Sequence, residues 1–341
     1  MIFVWLKFVV CTTIILFAGK RVARYGDAIA EKTGLSGLWV GIILVSVATS
    51  LPELFTGIGS TVFINAPNLT VGNLFGANAY NLINITVLDF IHKGPPLLSL
   101  VSSGQLLTAG LSLIPLTIAA LGIFLSQHLP QIAFANISLY SFLILISYLI
   151  CTRKIFRFEQ KQQRILKELH KEERIVFKYK DISLKTAGIR YALAALIIAI
   201  AGIWLAYIGD DLATFLGLGQ NFIGSLFLGF ATTLPEITVS IAAIRLGAKE
   251  LAVANMLGSN LFNMVIIFLN DVFYRKVPIF EVISQKNIFT AFLVILMTIT
   301  VISGLILKPK KKVKFDLSNY SFVLIAIFIL GAYVNFILGN K

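Results

Sequence analysis

Long apolar runs alternate with short polar or basic connections along this chain. The runs are close to 20 residues, the length of helix that crosses about 30 Å of hydrocarbon. The pattern predicts ten transmembrane spans, at roughly 2–19, 37–62, 70–91, 104–126, 131–151, 186–209, 221–245, 250–270, 287–307 and 319–338. The first run, MIFVWLKFVVCTTIILFAG, has neither a basic leader nor a small-x-small cleavage site. It is therefore expected to be a retained helix and not a signal peptide.

Composition agrees. The 341 residues are 57% hydrophobic and only 13% charged, with a mean hydropathy of +0.89, against about 25% charged residues in a soluble domain. The net charge of +13 would be compatible with nucleic acid, but the basic residues cluster between apolar runs, where they orient a chain in a bilayer. Residues 152–190 carry twelve Lys/Arg against five acids, KPKKKVK follows the ninth span, and Lys20, Arg21, Arg24 and Lys32 follow the first. Connections 63–69 and 126–136 have none, and 209–220 bears Asp210 and Asp211. With both termini outside, every strongly basic connection becomes cytoplasmic; 271–286, with Arg275, Lys276 and Lys286, is a mild exception. The connection 152–185 carries a partial apolar stripe (Ile155, Phe158, Ile165, Leu169) and reads as a solvated linker helix, or as one lying on anionic lipid. Cys11 and Cys151 lack metal-type spacing and read as small apolar residues.

The chain repeats itself. Adding 183 carries Gly26-Asp27 onto Gly209-Asp210, Gly34-Leu35 onto Gly217-Leu218, Gly41 onto Gly224, and ATSLPE (48–53) onto ATTLPE (231–236). After one deletion GNLFGANAYN (72–81) answers ANMLGSNLFN (254–263). Each half holds five spans, an odd number, so the halves insert in opposite orientations. The fold expected is an all-α polytopic membrane protein: five helices in 1–151, a basic connection 152–185, and an inverted five-helix repeat in 186–341. Inverted repeats with interrupted helices at the midplane mark secondary transporters.

The two hexapeptides carry the chemistry. Proline lacks an N–H, so Pro52 and Pro235 leave the carbonyls of Ala48 and Ala231 without a helical donor. Glu53 and Glu236 follow Thr49 and Thr232 by one turn and share their helix faces, and Ser50 and Thr233 add hydroxyls. Asn81 lies four residues after Ala77, and Asn263 four after Ser259, while Gly72, Gly76 and Gly258 allow close helix approach. Carbonyls, hydroxyls and carboxylates form the oxygen-only set that hard cations such as Ca²⁺ take. A carboxylate in hydrocarbon is costly unless it is paired or bound to a cation. Two such carboxylates brought together repel, and a divalent cation, two monovalent ones or protons are alternative counter-charges for them.

At these residues the sequence resembles the cation/calcium exchanger superfamily, most closely its sodium/calcium exchanger branch of small prokaryotic ten-helix members. The resemblance covers nearly the whole chain. It implies alternating access around the second, third, seventh and eighth spans, with the first and sixth sliding against them. It also implies a transport site for Ca²⁺ and Na⁺ formed by Ala48, Thr49, Ser50, Glu53 and Asn81 with Ala231, Thr232, Thr233, Glu236, Ser259 and Asn263. No cofactor is implied, one monomer suffices for the site, and the setting is a prokaryotic cell membrane. Two departures stand out. Ala77 occupies a position that is usually Ser, so it is not expected to be a ligand. Asn263 stands where some sodium/calcium exchangers carry Asp, so the site has two formal charges and not three. Fewer sodium ions per cycle, or a different driving ion, is the consequence.

Other classes fit less well. Proton/calcium exchange is the nearest alternative, though that branch carries different sequence around its acidic residues. An intramembrane enzyme would need a catalytic constellation, but His92, His128 and His170 sit at span ends or in the basic connection, without HExxH or Gly-x-Ser-x-Gly. A passive channel would show flux without a counter-ion.

Overall fold

A computed structural model describes residues 2–32, 45–130, 132–169, 179 and 181–339, without the side chains of residues 30 and 163–169. The described residues are almost entirely helical, as an apolar chain must be where water cannot satisfy its backbone. In chain order the helices are α1 (Ile2–Lys32), α2 (Leu51–Ile58), α3 (Pro67–Ile91), α4 (Ser103–Leu125), α5 (Leu139–Leu169), α6 (Leu184–Leu216), α7 (Gln220–Thr232), α8 (Leu234–Arg245), α9 (Lys249–Tyr274), α10 (Lys286–Leu307) and α11 (Asn319–Gly339). Eight of them, α1, α3, α4, α5, α6, α9, α10 and α11, are unbroken helices long and apolar enough to cross a membrane, and α7–α8 form a ninth span bent by 40°. The second span expected at 37–62 lies partly on residues 33–44, outside the described residues. Its remainder is helical over 45–49, interrupted at Ser50 and resumed as α2.

Several boundaries differ from expectation. Helix α1 continues to Lys32, well past residue 19. The fifth span begins at Leu139, because Ala133–Phe134 and Ile137–Ser138 pair as a two-residue antiparallel hairpin before it. That helix then continues without a break to Leu169, so the first part of the basic connection extends α5. Ile155 is buried on it, His170 lies outside the described residues, and so do the side chains of Ile165 and Leu169.

The two halves interlock around a pseudo-two-fold axis. Helices α3 and α9 cross at the centre; α4 and α5 pack on α9, whereas α10 and α11 pack on α3. Helices α1 and α6 lie along one another and close the opposite flank against α2 and α7–α8. The main apolar core runs between α3, α9, α4 and α10, and a second joins α1, α6 and α7. Large apolar side chains such as Phe17, Phe124, Leu193, Phe292 and Ile329 face outward, as lipid-facing surface requires. Glycine sets the central spacing: a Cβ on Gly72 would stand 2.6 Å from the Asn221 carbonyl oxygen, and one on Gly76 would strike the Ser225 backbone. Helices α3 and α7 therefore touch backbone to backbone.

Two buried aspartates fix helix ends in matching ways. Asp89, near the end of α3, accepts from the Leu97 N–H (2.8 Å), the Ser318 N–H (3.0 Å), the Tyr320 hydroxyl (2.8 Å) and the Ser321 hydroxyl (3.0 Å) at the start of α11. Asp271, near the end of α9, accepts from the Ile279 N–H (2.7 Å) and, at the start of α5, from the Ser138 N–H (2.8 Å) and the Ser141 hydroxyl (2.5 Å). Each carboxylate ties its helix to orphan donors at the N-terminus of a flanking one.

Candidate cation site

Both hexapeptides break their helices at the same position. Ser50 has φ −85°, ψ 9° and Thr233 has φ −84°, ψ 0°, each followed by a new helix with proline in its first turn. These ψ values leave the α region for the sparsely populated bridge region, and Pro52 and Pro235 withdraw the N–H that would have carried the ladder across. Each span also contains a five-residue π-helical stretch, Gly59–Phe63 and Gly224–Leu228. Such insertions free further backbone groups and concentrate at functional sites.

Every residue expected in the site is buried, with no side chain above 2% exposure. The break turns Glu53 and Glu236 inward, and the two carboxylates are close enough to interact electrostatically. Ser50 Oγ donates to Glu236 Oε1 at 3.3 Å, so a residue of the first half bonds the acid of the second. Thr232 faces Glu53, but its hydroxyl donates to Asn73 Oδ1 at 3.2 Å. Both oxygens of Glu53 and Oε2 of Glu236 consequently have no hydrogen-bond donor among the described residues. Uncompensated carboxylates at this depth cost several kcal/mol each, so the arrangement is complete only when something cationic or protonic joins it.

A belt of asparagines surrounds the acids, and the spacing rules applied to the sequence missed four of its members: Asn73, Asn78, Asn255 and Asn260. Asn255 Oδ1 accepts from the Thr49 hydroxyl at 3.4 Å, mirroring the Thr232–Asn73 bond. Asn78 and Asn260 exchange amide-to-carbonyl bonds across the axis at 3.3 and 3.2 Å. Asn81 donates to Asn260 Oδ1 (3.0 Å) and Asn263 to Asn78 Oδ1 (2.9 Å), which leaves the Oδ1 atoms of Asn81 and Asn263 without donors. These two oxygens join the unsatisfied carboxylate oxygens as acceptors. The signal was present in the repeat, since Asn73 and Asn78 of GNLFGANAYN match Asn255 and Asn260 of ANMLGSNLFN.

The symmetry is imperfect at two places. Thr233 turns its hydroxyl to its own helix, donating to the Gly229 carbonyl at 2.8 Å, so it is not brought to Glu53 as Ser50 is to Glu236. Ser259 donates to the Ser46 carbonyl at 3.5 Å, whereas the corresponding pair of the other half is Ala77 and Gly229. There the backbones touch, for a Cβ on Gly229 would stand 2.9 Å from the Ala77 nitrogen. One side of the site is therefore hydroxyl-rich and the other is closely packed backbone. Cys11 and Cys151 are buried free thiols away from these acids.

The chain is 24% identical over 289 residues to the sodium/calcium exchanger MaX1 of Methanosarcina acetivorans, covering 74% of this chain and 77% of that one. It is 23% identical over 267 residues to the inner membrane protein YrbG of Escherichia coli K12, covering 74% of each. Among solved structures, the H⁺/Ca²⁺ exchanger CAX superposes with a TM-score of 0.67 at 12% identity, over 98% of this chain and 86% of that one. The sodium-calcium exchanger NCX_Mj, soaked with 10 mM Na⁺ and zero Ca²⁺, superposes with a TM-score of 0.58 at 16% identity, over 98% and 99%. These identities carry the fold alone, which is the expected polytopic helical one. The model of the family described as sodium/calcium exchanger protein matches residues 3–159 and 188–340. With paired, donor-poor carboxylates on two broken helices, this chain belongs to the sodium/calcium exchanger protein family, a family of membrane transporters and not of enzymes.

Proposed function

We propose that the protein exchanges Ca²⁺, or a similar divalent cation, against Na⁺ by alternating access. The observation that carries this reading is the pair Glu53 and Glu236, buried together with three carboxylate oxygens lacking donors. The ligands are the Ala48 and Ala231 carbonyls, the Thr49, Ser50, Thr232 and Ser259 oxygens, both glutamates, and the Asn81 and Asn263 amide oxygens. Thr233 contributes through its lone pairs, since its proton is committed to Gly229. Two carboxylates neutralise one divalent cation or two monovalent ones, so the competing ions are alternative counter-charges for a single cage. Exchange is obligatory because an empty cage would leave both charges uncompensated in a low dielectric. One monomer contains the whole site. The positive-inside rule favours 152–185 in the cytoplasm and both termini outside.

Proton-coupled exchange is the second reading, favoured by the same absence of a third acid: two protons neutralise Glu53 and Glu236 as two sodium ions do. Uptake of radiolabelled calcium into proteoliposomes under separately imposed sodium and proton gradients decides between them. Acceleration by an outward sodium gradient is expected; acceleration by the proton gradient alone would transfer the assignment to H⁺/Ca²⁺ exchange, and flux needing no counter-ion would overturn both.

A further inference from the structure

The pseudo-two-fold axis relates two half-enclosed cavities that flank the central site. One lies among α4, α5 and α9, with Gln105, Thr108, Tyr148, Thr152, Glu159 and Gly258 in its wall. Its counterpart, among α3, α7, α10 and α11, includes Gly76, Thr290, Phe328 and Ala332 at the equivalent places. The pair differs at its ends. Glu250 receives the Ser102 N–H (3.0 Å) and the Gln105 amide (3.0 Å), while its counterpart Asn68 receives the Ser284 N–H (2.6 Å) and the Asn287 amide (3.1 Å). The same hydrogen-bond frame thus holds a carboxylate at one end and a neutral amide at the other. Glu159 corresponds to Gly339 by the offset that pairs Tyr148 with Phe328, so the acidic end has two charges and the other has none.

Glu159 is 7% exposed, and its Oε1 occupies the place where a side chain on Gly104 would stand. Glu159 and Glu250 repel one another, and neither forms an ion pair among the described residues. Gln105 is 2% exposed, with its amide nitrogen spent on Glu250 and its Oε1 buried without a donor at the cavity wall. Gln105 thus links the two carboxylates: its amide nitrogen donates to Glu250, and its Oε1 lies in the wall of the cavity that Glu159 also lines. Ser46 also lines the cavity, and its carbonyl accepts from Ser259 of the central site. A single residue layer separates the two.

We propose that this cavity is a second cation site, in which Glu159, Glu250 and Gln105 Oε1 hold a hydrated divalent cation beside the central cage. Two carboxylates and one amide leave most of the coordination to water, which makes it a docking site and not a cage. Its placement has a physical logic. It opens at the end where α4 and α9 begin, where Lys249 and Lys312 act on His92, and such lysines repel cations from that face. A recessed acid pair reverses the potential locally and raises the cation concentration at the entrance. The outer cavity faces no such barrier and carries no acid. Its role as a staging point for transport rests on the exchange reading above; the binding does not.

The test uses the full chain in neutral-lipid nanodiscs, titrated with Mn²⁺ and followed by electron paramagnetic resonance. In the Glu53→Gln/Glu236→Gln background Mn²⁺ still binds, and adding Glu159→Gln with Glu250→Gln weakens that binding about tenfold, the scale on which a charged cleft concentrates ions. Gln105→Met, which changes no charge and keeps the volume, weakens it as well. Absence of Mn²⁺ binding in the first background, or an unchanged affinity in the quadruple variant, overturns the proposal. A failed sodium dependence of calcium flux overturns the exchange reading instead and leaves this titration untouched.

Discussion

In the proposed cage Glu53 and Glu236 supply the charge, and they differ in what holds them. Ser50 donates to Glu236, whereas both Glu53 oxygens lack a donor. Replacing either glutamate by glutamine leaves shape and volume intact but removes half the charge that neutralises a divalent cation. Glu53→Gln and Glu236→Gln are each expected to abolish calcium uptake while the protein still reaches the membrane; wild-type uptake in either variant would refute the site. Ala77 tests the imperfect symmetry. A serine there would place a hydroxyl against Gly229, as Ser259 places one against Ser46. One added hydrogen-bonding group in a buried site amounts to about 1 kcal/mol, so Ala77→Ser should shift half-saturating sodium by roughly two- to tenfold. Calcium affinity should move less, and an unaltered sodium response would remove position 77 from the site.

At the scale of elements, the breaks at Ser50 and Thr233 work because neighbouring helices absorb what the breaks expose. Helix α3 lies so close to α7 that Gly72 and Gly76 touch the backbones of Asn221 and Ser225, which holds the asparagine belt around the acids. Asp89 and Asp271 then lock the far ends of α3 and α9 onto α11 and α5. Removing a carboxylate that receives four hydrogen bonds strands four donors. Asp89→Ala should cost roughly 2–4 kcal/mol, given about 1.5–3 kcal/mol for a hydrogen bond to a charged group with partial relaxation. A lowered unfolding temperature of the purified protein, with calcium affinity retained in the folded fraction, is the expected result. A loss of affinity without any loss of stability would place Asp89 in the transport path.

At the scale of the molecule, α1 and α6 pack chiefly on each other and on the broken spans, while α4, α5, α10 and α11 grip the central pair α3 and α9. Under the proposed alternating access, these two groups are the bodies expected to move against one another around the site. With only two formal charges in the cage, a divalent cation traded for two monovalent ones moves no net charge. Calcium flux should therefore respond little to an imposed membrane voltage; a strong voltage dependence, of the kind three-for-one exchange produces, would count against this stoichiometry.

The sequence by itself determined that the chain is a polytopic helical membrane protein, and its internal repeat singled out Glu53 and Glu236, which the structure buries near one another. Hydrophobic run length, odd span number and proline chemistry are local or countable properties, and each translates directly into a physical constraint. It also located Asn81, Ser259 and Asn263, because i, i+4 spacing on one helix is legible in a string. What it could not determine was which side chains meet across the pseudo-two-fold axis. The repeat aligns Asn73 and Asn78 with Asn255 and Asn260, but their roles emerged only from the packed helices, since their partners lie 159 to 206 residues away in sequence. The approach of Glu159 to Glu250 from opposite halves was likewise decided by tertiary packing. Burial creates the demand for a partner, but only the packed structure decides which partner arrives.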